Sequence, residues 1–355
     1  MKQELTFPQA LEALDLDALL TRLKQVRVAV IGDLCLDVYW HADMRRSELS
    51  RETPHYPLRV VEERFSLGGA ANVCSNAAAL GVSSVTALGV IGDDWRGTVL
   101  RRCCREQGIV DSALAEIPGR ITNAYCKPIR HGISDVAYED PRLDFCDSRP
   151  LDSQAEEALM AHLQALDADV LCVSDQLKDG CITPAVREQI LALGKQGMRI
   201  VADSRDRIAL YPGVIRKPNE VEGYRAVHGT LPPMELTPEI WEPCALALSE
   251  DGGADVFMTL GGQGCIHAKA GKLTRVCAAV PPPQIDFVGA GDTVLASLST
   301  ALAAGATPVE AMTFANLCAS VTIGKIGTTG TATPDEIRAA ARQQLLVGGS
   351  SHDKN

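Results

Sequence analysis

The sequence predicts an α/β protein built on a doubly wound, mostly parallel sheet flanked by helices and carrying a small β lid. Three observations lead there. Runs rich in Val and Ile alternate with amphipathic stretches of helical period along most of the chain, the pattern left by parallel strands and their crossover helices. Two charged segments interrupt that alternation with short β-prone pieces. Towards the C-terminal end, a glycine-rich turn runs straight into an apolar helix.

The stretch before Arg27 reads as helical, and residues 27–32, 85–91, 169–174, 199–203 and 255–260 read as strands. Between them, 70–80, 95–107, 153–166 and 183–196 place apolar residues at helical spacing. Residues 38–64 mix charges, prolines and aromatics, and 120–145 carry Thr, Tyr, Val and Ile in short runs. Both fit strands of an accessory sheet better than crossover helices, and over the ligand edge they would form a water-excluding lid. Residues 265–277 read as a hairpin around Gly271, and Pro281 to Pro283 as a stiff connector. Helices over 292–304, 308–323 and 334–346 close the chain; residues 1–347 read as one domain and 348–355 as a disordered tail.

With 355 residues, of which 46% are hydrophobic, the chain can bury a large core. Its net charge of −11 argues against a nucleic-acid or anionic-membrane partner, since both need clustered basic residues. No apolar run reaches the roughly 18 residues of a membrane span, and a soluble cytoplasmic protein is expected. Twelve cysteines are scattered without Cys-x-x-Cys spacing and read as buried thiols in a reducing compartment.

The octet Asp286, Phe287, Val288, Gly289, Ala290, Gly291, Asp292, Thr293 is the most informative motif. Small residues let N–H groups at Gly289, Ala290 and Gly291 crowd around an anion at a helix N-terminus. A carboxylate there repels phosphate unless it has another task, and the natural one for Asp292 is to take a proton from an attacking hydroxyl; the alternative is an N-cap. Asp37 follows the first strand, where it is placed to bind a polyol or to make local turn contacts. Gly68 and Gly69 open a helix from which the Asn72 amide points outward, suited to sugar hydroxyls, although close helix packing also explains the glycines. Asn219 and Glu222, three apart, offer oxygen ligands for hydrated Mg²⁺, or else a helix cap. Thr259, Gly261 and Gly264 follow a strand and leave its backbone open to a nucleotide.

Taken in this order, the motifs resemble the ribokinase family, the PfkB family of carbohydrate kinases, over residues 27–337. Within it the chain is similar to the kinases of ADP-heptose synthesis, which phosphorylate the anomeric hydroxyl of D-glycero-D-manno-heptose 7-phosphate. That likeness rests on residues 32–40, on Glu62-Glu63-Arg64, on Arg142-Leu143-Asp144-Phe145, on Ser174-Asp175 with Lys178, and on Gly324-Lys325-Ile326-Gly327-Thr328. The resemblance implies a ribokinase-like fold and transfer of the ATP γ-phosphoryl group to a sugar, with Asp292 as base and Gly289, Ala290 and Gly291 as anion hole. It implies that Asp37, Gly68, Gly69, Asn72 and Arg142 line the sugar site, while Asn219 and Glu222 organise Mg²⁺ and phosphate. The nucleotide would lie near Thr259, Gly261, Gly264, Asn316, Lys325 and Gly327, with Asp286 beside a monovalent cation such as K⁺. A homodimer joined through the lid is also implied.

The chain departs from the heptose kinases in three places. Glu48-Leu49-Ser50-Arg51-Glu52-Thr53-Pro54 stands where they carry Arg-Ile-Ser-Pro-Glu-Ala-Pro, Val288 stands for Thr, and Asp203-Ser204-Arg205 replaces Asp-Pro-Lys-Gly. The nucleotidyltransferase domain fused to some of them has no counterpart here, so no second activity is expected. Two other readings compete. One is a family kinase of another sugar, sugar phosphate or nucleoside, separated by whether groups such as Arg51, Arg64, Lys127, Arg130, Arg142, Lys178 or Arg205 form an anion site in the lid cleft. The other is a non-catalytic sugar or nucleotide sensor, which has no need of a base at Asp292. A dehydrogenase is disfavoured because no Gly-x-Gly-x-x-Gly follows the first strand.

Overall fold

The computed structural model describes residues 2–132, 134 and 136–349. The chain opens with β1 (Lys2–Leu5), α1 (Phe7–Glu12) and α2 (Leu16–Leu23), followed by β2 (Arg27–Gly32), β3 (Leu34–Asp43) and β4 (Val60–Gly69). It continues through α3 (Ala70–Ala79), β5 (Ser84–Gly92), α4 (Trp95–Glu106), β6 (Ile109–Val110), β7 (Leu114–Ile117), β8 (Ala124–His131), β9 (Ala137–Glu139) and β10 (Leu143–Phe145). Next come α5 (Ser153–Gln164), β11 (Val170–Asp175), α6 (Pro184–Lys195), β12 (Ile200–Ser204), β13 (Ile215–Arg216), α7 (Glu220–His228) and α8 (Pro238–Glu250). β14 (Val256–Thr259), β15 (Cys265–Lys269), β16 (Lys272–Val276), α9 (Ala290–Ala303), α10 (Pro308–Thr322) and α11 (Pro334–Gly349) complete it.

The main sheet runs β1-β16-β15-β14-β13-β12-β11-β2-β5-β6, with β7 also paired to β5. From β14 to β6 every pairing is parallel, and the β15–β16 hairpin adds an antiparallel edge. Val28, Ala29, Val30 and Ile31 of β2 are all buried, as are Val170 to Val173 of β11. Such uninterrupted apolar strands are stable only with helices on both faces, which is why the alternation in the sequence was informative. Because the strands share one direction, Asp33, Asp175, Asp203 and Lys217 are brought to the same carboxyl edge, where ligands of such sheets sit.

The two predicted lid segments form a separate sheet ordered β10-β8-β3-β4, with β9 on β8. It is wider than 38–64 at both ends, since β3 starts one residue after β2 and β4 runs to Gly69. Asp37 therefore lies inside a strand instead of on a loop. Period-two alternation splits β3: Leu34, Leu36 and Val38 join the hydrophobic core, while Asp37 and Tyr39 occupy the opposite face.

Several elements escaped the sequence reading for identifiable reasons. β6 and β13 have two residues each and β1 and β7 four, too few for a period to register. In α8, Pro243 inside the helix hides the pattern. The last helix carries on through Gly348 and Gly349, which were expected in the tail, because extending a formed helix is far easier than starting one. The remainder of that tail, 350–355, lies outside the described residues. All twelve cysteines are free and ten are buried, as buried thiols in the core should be. No helix among the described residues is long and apolar enough to cross a membrane.

Asp33 fastens the carboxyl edge. Its carboxylate accepts the N–H groups of Gln176 at 3.0 Å, Leu177 at 2.8 Å and Cys181 at 2.8 Å, tying the end of β2 to the loop after β11. Burial pushes its carboxyl up, against those three hydrogen bonds. Asp33→Ala leaves buried donors unpaired and is expected to cost about 2–4 kcal/mol in urea unfolding, with Asp33→Asn intermediate. A loss under about 1 kcal/mol would show that the loop holds itself.

Candidate active site

Helix α9 starts at Gly289, whose φ of +81° lies in the left-handed region. A Cβ at this position would also fall 2.8 Å from Asn72 Nδ2, so glycine is required on two counts. That close approach lets Asn72 Nδ2 donate to Asp292 Oδ2 at 2.8 Å. Asn76 Nδ2 donates to the Asn72 carbonyl at 2.9 Å and to its Oδ1 at 3.2 Å, and Thr293 Oγ1 donates to Asn76 Oδ1 at 2.9 Å. Asn72, Asn76 and Thr293 are buried, so α3 and α9 are clasped by a polar ladder that fixes the orientation of one carboxylate.

The helix start keeps open donors. Ala290 N–H turns back onto the Phe287 carbonyl at 3.1 Å, whereas the N–H groups of Gly289, Gly291 and Asp292 have no protein acceptor among the described residues. Asp286 braces this turn from behind: Oδ1 accepts Val288 N–H at 3.0 Å and Oδ2 accepts Gly327 N–H at 2.9 Å.

Around these donors sits a buried charge cluster. Burial pushes the Asp292 carboxyl up to about 7; the Asn72 hydrogen bond and Lys217 oppose the rise, and Asp203 and Asp37 add to it. Asp292 keeps some surface open to the cleft, so its loss of water comes from the protein packed around it. The Glu222 carboxyl is also pushed up to about 7, first by burial and then by Asp203. Lys217 lies 3.0 Å from Asp203 and is nearly wholly buried. Burial works against its charge, but Asp203, Glu222 and Asp292 together outweigh that and hold it protonated.

Asn219 and Glu222 form a capping box at the start of α7, each accepting the other's N–H at 2.8 Å. Their spacing is therefore explained by the helix start. Glu222 Oε1 and Asn219 Nδ2 stay uncommitted within the cluster. No group of three His, Cys, Asp or Glu among the described residues could hold a metal alone. A divalent ion here would take most of its ligands from water and a nucleotide, and a half-buried Glu222 oxygen near Asp203 fits such a partner.

The sugar-site candidates converge on β3 and β4. Asp37 is buried, which pushes its carboxyl up against the pull of Lys127 and Arg142. A Cβ on Gly68 would lie 2.9 Å from Asp37 Oδ1, and one on Gly69 would lie 2.5 Å from the Asp33 carbonyl, so both glycines make room for their neighbours. Arg142 pairs with Asp144 at 2.5 and 2.7 Å while lying 4.3 Å above the Tyr125 ring.

The nucleotide candidates are more dispersed. Thr259 bridges to Asn219, and Gly261 and Gly264 flank the turn between β14 and β15. Asn316 Nδ2 donates to the Cys277 carbonyl at 3.3 Å. Lys325 Nζ is taken up by the Thr331 carbonyl and Glu336 Oε1, both at 2.6 Å, so it closes its own loop. Gly327 joins that loop to Asp286 by its N–H and to Arg64 by its carbonyl. A groove of about 880 Å³ at the opposite end of the strands, around Arg199 and Asp255, touches none of these residues.

A match to the pfkB family carbohydrate kinase model spans residues 27–336. The chain belongs to the pfkB family of carbohydrate kinases. It is 31% identical over 348 residues to the bifunctional protein HldE of Citrifermentans bemidjiense, covering 93% of this chain and 66% of that protein. The chain thus spans about two thirds of the length of the curated relatives it matches. Its fold is that of Arabidopsis thaliana ribokinase, solved with ribose and ATP, at a TM-score of 0.67 and 18% identity over 90% of this chain and 99% of that one. Escherichia coli phosphofructokinase-2 in complex with potassium superposes at 0.68 with 22% identity over 90% and 99%. This pfkB protein is accordingly a ribokinase-like phosphotransferase with an alcohol acceptor.

Lys217, Asp203, Asn76 and Thr293 were given no role from the sequence of this pfkB kinase. Lys217 and Asp203 carried one usable signal, charge at the carboxyl end of an apolar strand. The raised carboxyl of Asp292 has a consequence for stability. Below about pH 4 folded and unfolded chains both hold its proton; from there to about 7 only the folded chain does, so stability falls as pH rises through that window. Asp292→Asn removes the effect, and its Tm advantage over the parent is expected to grow between pH 5 and 8. A Tm difference that stays flat over that range would contradict the perturbed carboxyl.

Proposed function

We propose that this pfkB kinase transfers the γ-phosphoryl group of ATP to the anomeric hydroxyl of D-glycero-D-manno-heptose 7-phosphate, with Asp292 as general base. The observation that carries the reading is a carboxylate poised near neutrality, oriented by Asn72 and set at a helix N-terminus with open donors. A base with a carboxyl near the working pH is half available yet still attracts a proton. Asp37 lies close enough to Asp292 for its charge to help raise that carboxyl, which fits a sugar between them.

In this mechanism Asp37 accepts hydrogen bonds from sugar hydroxyls and turns the anomeric one towards Asp292. As that oxygen bonds to the γ-phosphorus, its proton passes to Asp292 and the bond to the β–γ bridging oxygen breaks, releasing ADP. The N–H groups of Gly289 and Gly291 donate hydrogen bonds to the oxygens of the migrating group, and Lys217 adds a fixed positive charge nearby. Mg²⁺, held through phosphate near Glu222 and Asn219, would offset the charge of the polyphosphate. Thr259, Gly261, Gly264 and Asn316 would border the nucleotide, while Lys325 and Gly327 shape the loop beside it.

The marks shared with the heptose kinases and the identity to HldE proteins support the heptose. Glu48 and Arg51, where the chain departs from them, lie on an exposed stretch between β3 and β4. The same reading includes a single kinase domain, K⁺ near Asp286, a cytoplasmic location, and two copies joined through the lid, whose Val60, Val61 and Tyr138 are exposed.

An ATP-consumption screen over phosphorylated and unphosphorylated sugars tests this reading, and heptose 7-phosphate is expected to be turned over best. A clear preference for another sugar would move the substrate within the family. Asp292→Asn is expected to bind ATP and lose about 10²–10⁴ in kcat, with kcat/KM of the parent falling below about pH 7. Turnover near the parent level in that variant would remove the base.

A further inference from the structure

The lid carries positive charge that the reaction just described does not use. Along β3, Asp37 stands level with Ser66 of β4 and Tyr125 of β8, and Tyr39 stands level with Arg64 and Lys127. Residues two apart on a strand share a face, so Arg64, Tyr39 and Lys127 form the next rung beyond Asp37, about 7 Å along the same face. Arg64 lies 4.1 Å above the Tyr39 ring and Lys127 Nζ lies 4.9 Å from its centroid, at 3.5 Å from the hydroxyl. Tyr39 is buried beneath them.

Both cations rest on one buried ring, and neither has a carboxylate in ion-pair range among the described residues. Arg64 spends one nitrogen on the Gly327 carbonyl and has the rest of its fork free. The other basic candidates are disposed of elsewhere: Arg130 and Arg142 are paired with Asp140 and Asp144, while Arg51, Lys178 and Arg205 are exposed. Arg142 still reaches Asp37 electrostatically, so the rung ends in a positive field.

We infer that Arg64 and Lys127, splayed over Tyr39, bind the terminal phosphate of a sugar phosphate whose hydroxyls meet Asp37, and thereby select phosphorylated sugars. This rests on the kinase reading and adds the groups that read the substrate's own phosphate. A dianion supplies the counter-charge that both cations lack, and the arginine fork and lysine ammonium match phosphate oxygens. The offset of one rung puts the phosphate away from Asp292, so the sugar is held by the end opposite to the one that reacts.

The test compares one sugar with and without its phosphate, in the parent, Lys127→Met and Lys127→Arg. Removing a charged hydrogen bond is expected to lower kcat/KM for the sugar phosphate about 10- to 100-fold, far more than for the unphosphorylated sugar, and Lys127→Arg should restore most of it. Inorganic phosphate, titrated calorimetrically, should bind the parent at one more site than Lys127→Met, the main-chain donors of α9 being common to both. If no sugar of either kind is phosphorylated, the kinase reading falls and takes this inference with it. If sugars are phosphorylated but Lys127→Met slows both kinds equally, or phosphate binds both proteins alike, the kinase reading stands and the phosphate site is refuted. Equal losses of that kind would mark the cations as packing for Tyr39.

Discussion

The hydrogen bond from Asn72 to Asp292 is the contact on which the rest of the site depends. It joins the first turns of two helices that are far apart in the chain, and it exists only because Gly289 has no Cβ to push the amide away. The same missing atom permits the left-handed turn that starts α9 and leaves main-chain donors unpaired. The Asp292 carboxylate, the amide that orients it and the open main-chain donors are thus brought together by one close backbone approach. Asn76 and Thr293 make the approach rigid by hydrogen-bonding each other and Asn72 in one ladder.

Electrostatics sets how the site behaves. Three acids, Asp203, Glu222 and Asp292, share one buried lysine. Lys217, helped by Arg205 at Glu222, does not offset all three, and two of the carboxyls rise to about 7 through burial and the neighbouring Asp203 charge. Such a cluster is under-compensated in the free protein and gains when cationic or proton-donating groups arrive.

The lid answers a different constraint. Its strands must cover the core of the main body while presenting charge to the cleft, and strict alternation along β3 achieves both. Arg64 then ties this sheet to the loop that Asp286 braces, so the lid, the anion pocket and the loop beside it are linked through Gly327.

Local pattern was enough for much of this protein. The parallel α/β body, the accessory sheet, and the candidates Asp292, Gly289, Asp37, Asn72 and Glu222 were legible because apolar periodicity and short glycine motifs are properties of neighbouring residues. Some roles were not. Asn72 grips the Asp292 carboxylate; Asn219 and Glu222 cap a helix as well as facing the cluster; Ala290 N–H is turned inward; and Lys325 is consumed by its own loop. Lys217 beside Asp203, and Lys127 beside Arg64, gained meaning only when strands far apart in sequence were laid side by side. Period and turn chemistry are written in successive residues, whereas charge compensation and burial depend on distance through space, which the folded chain alone decides.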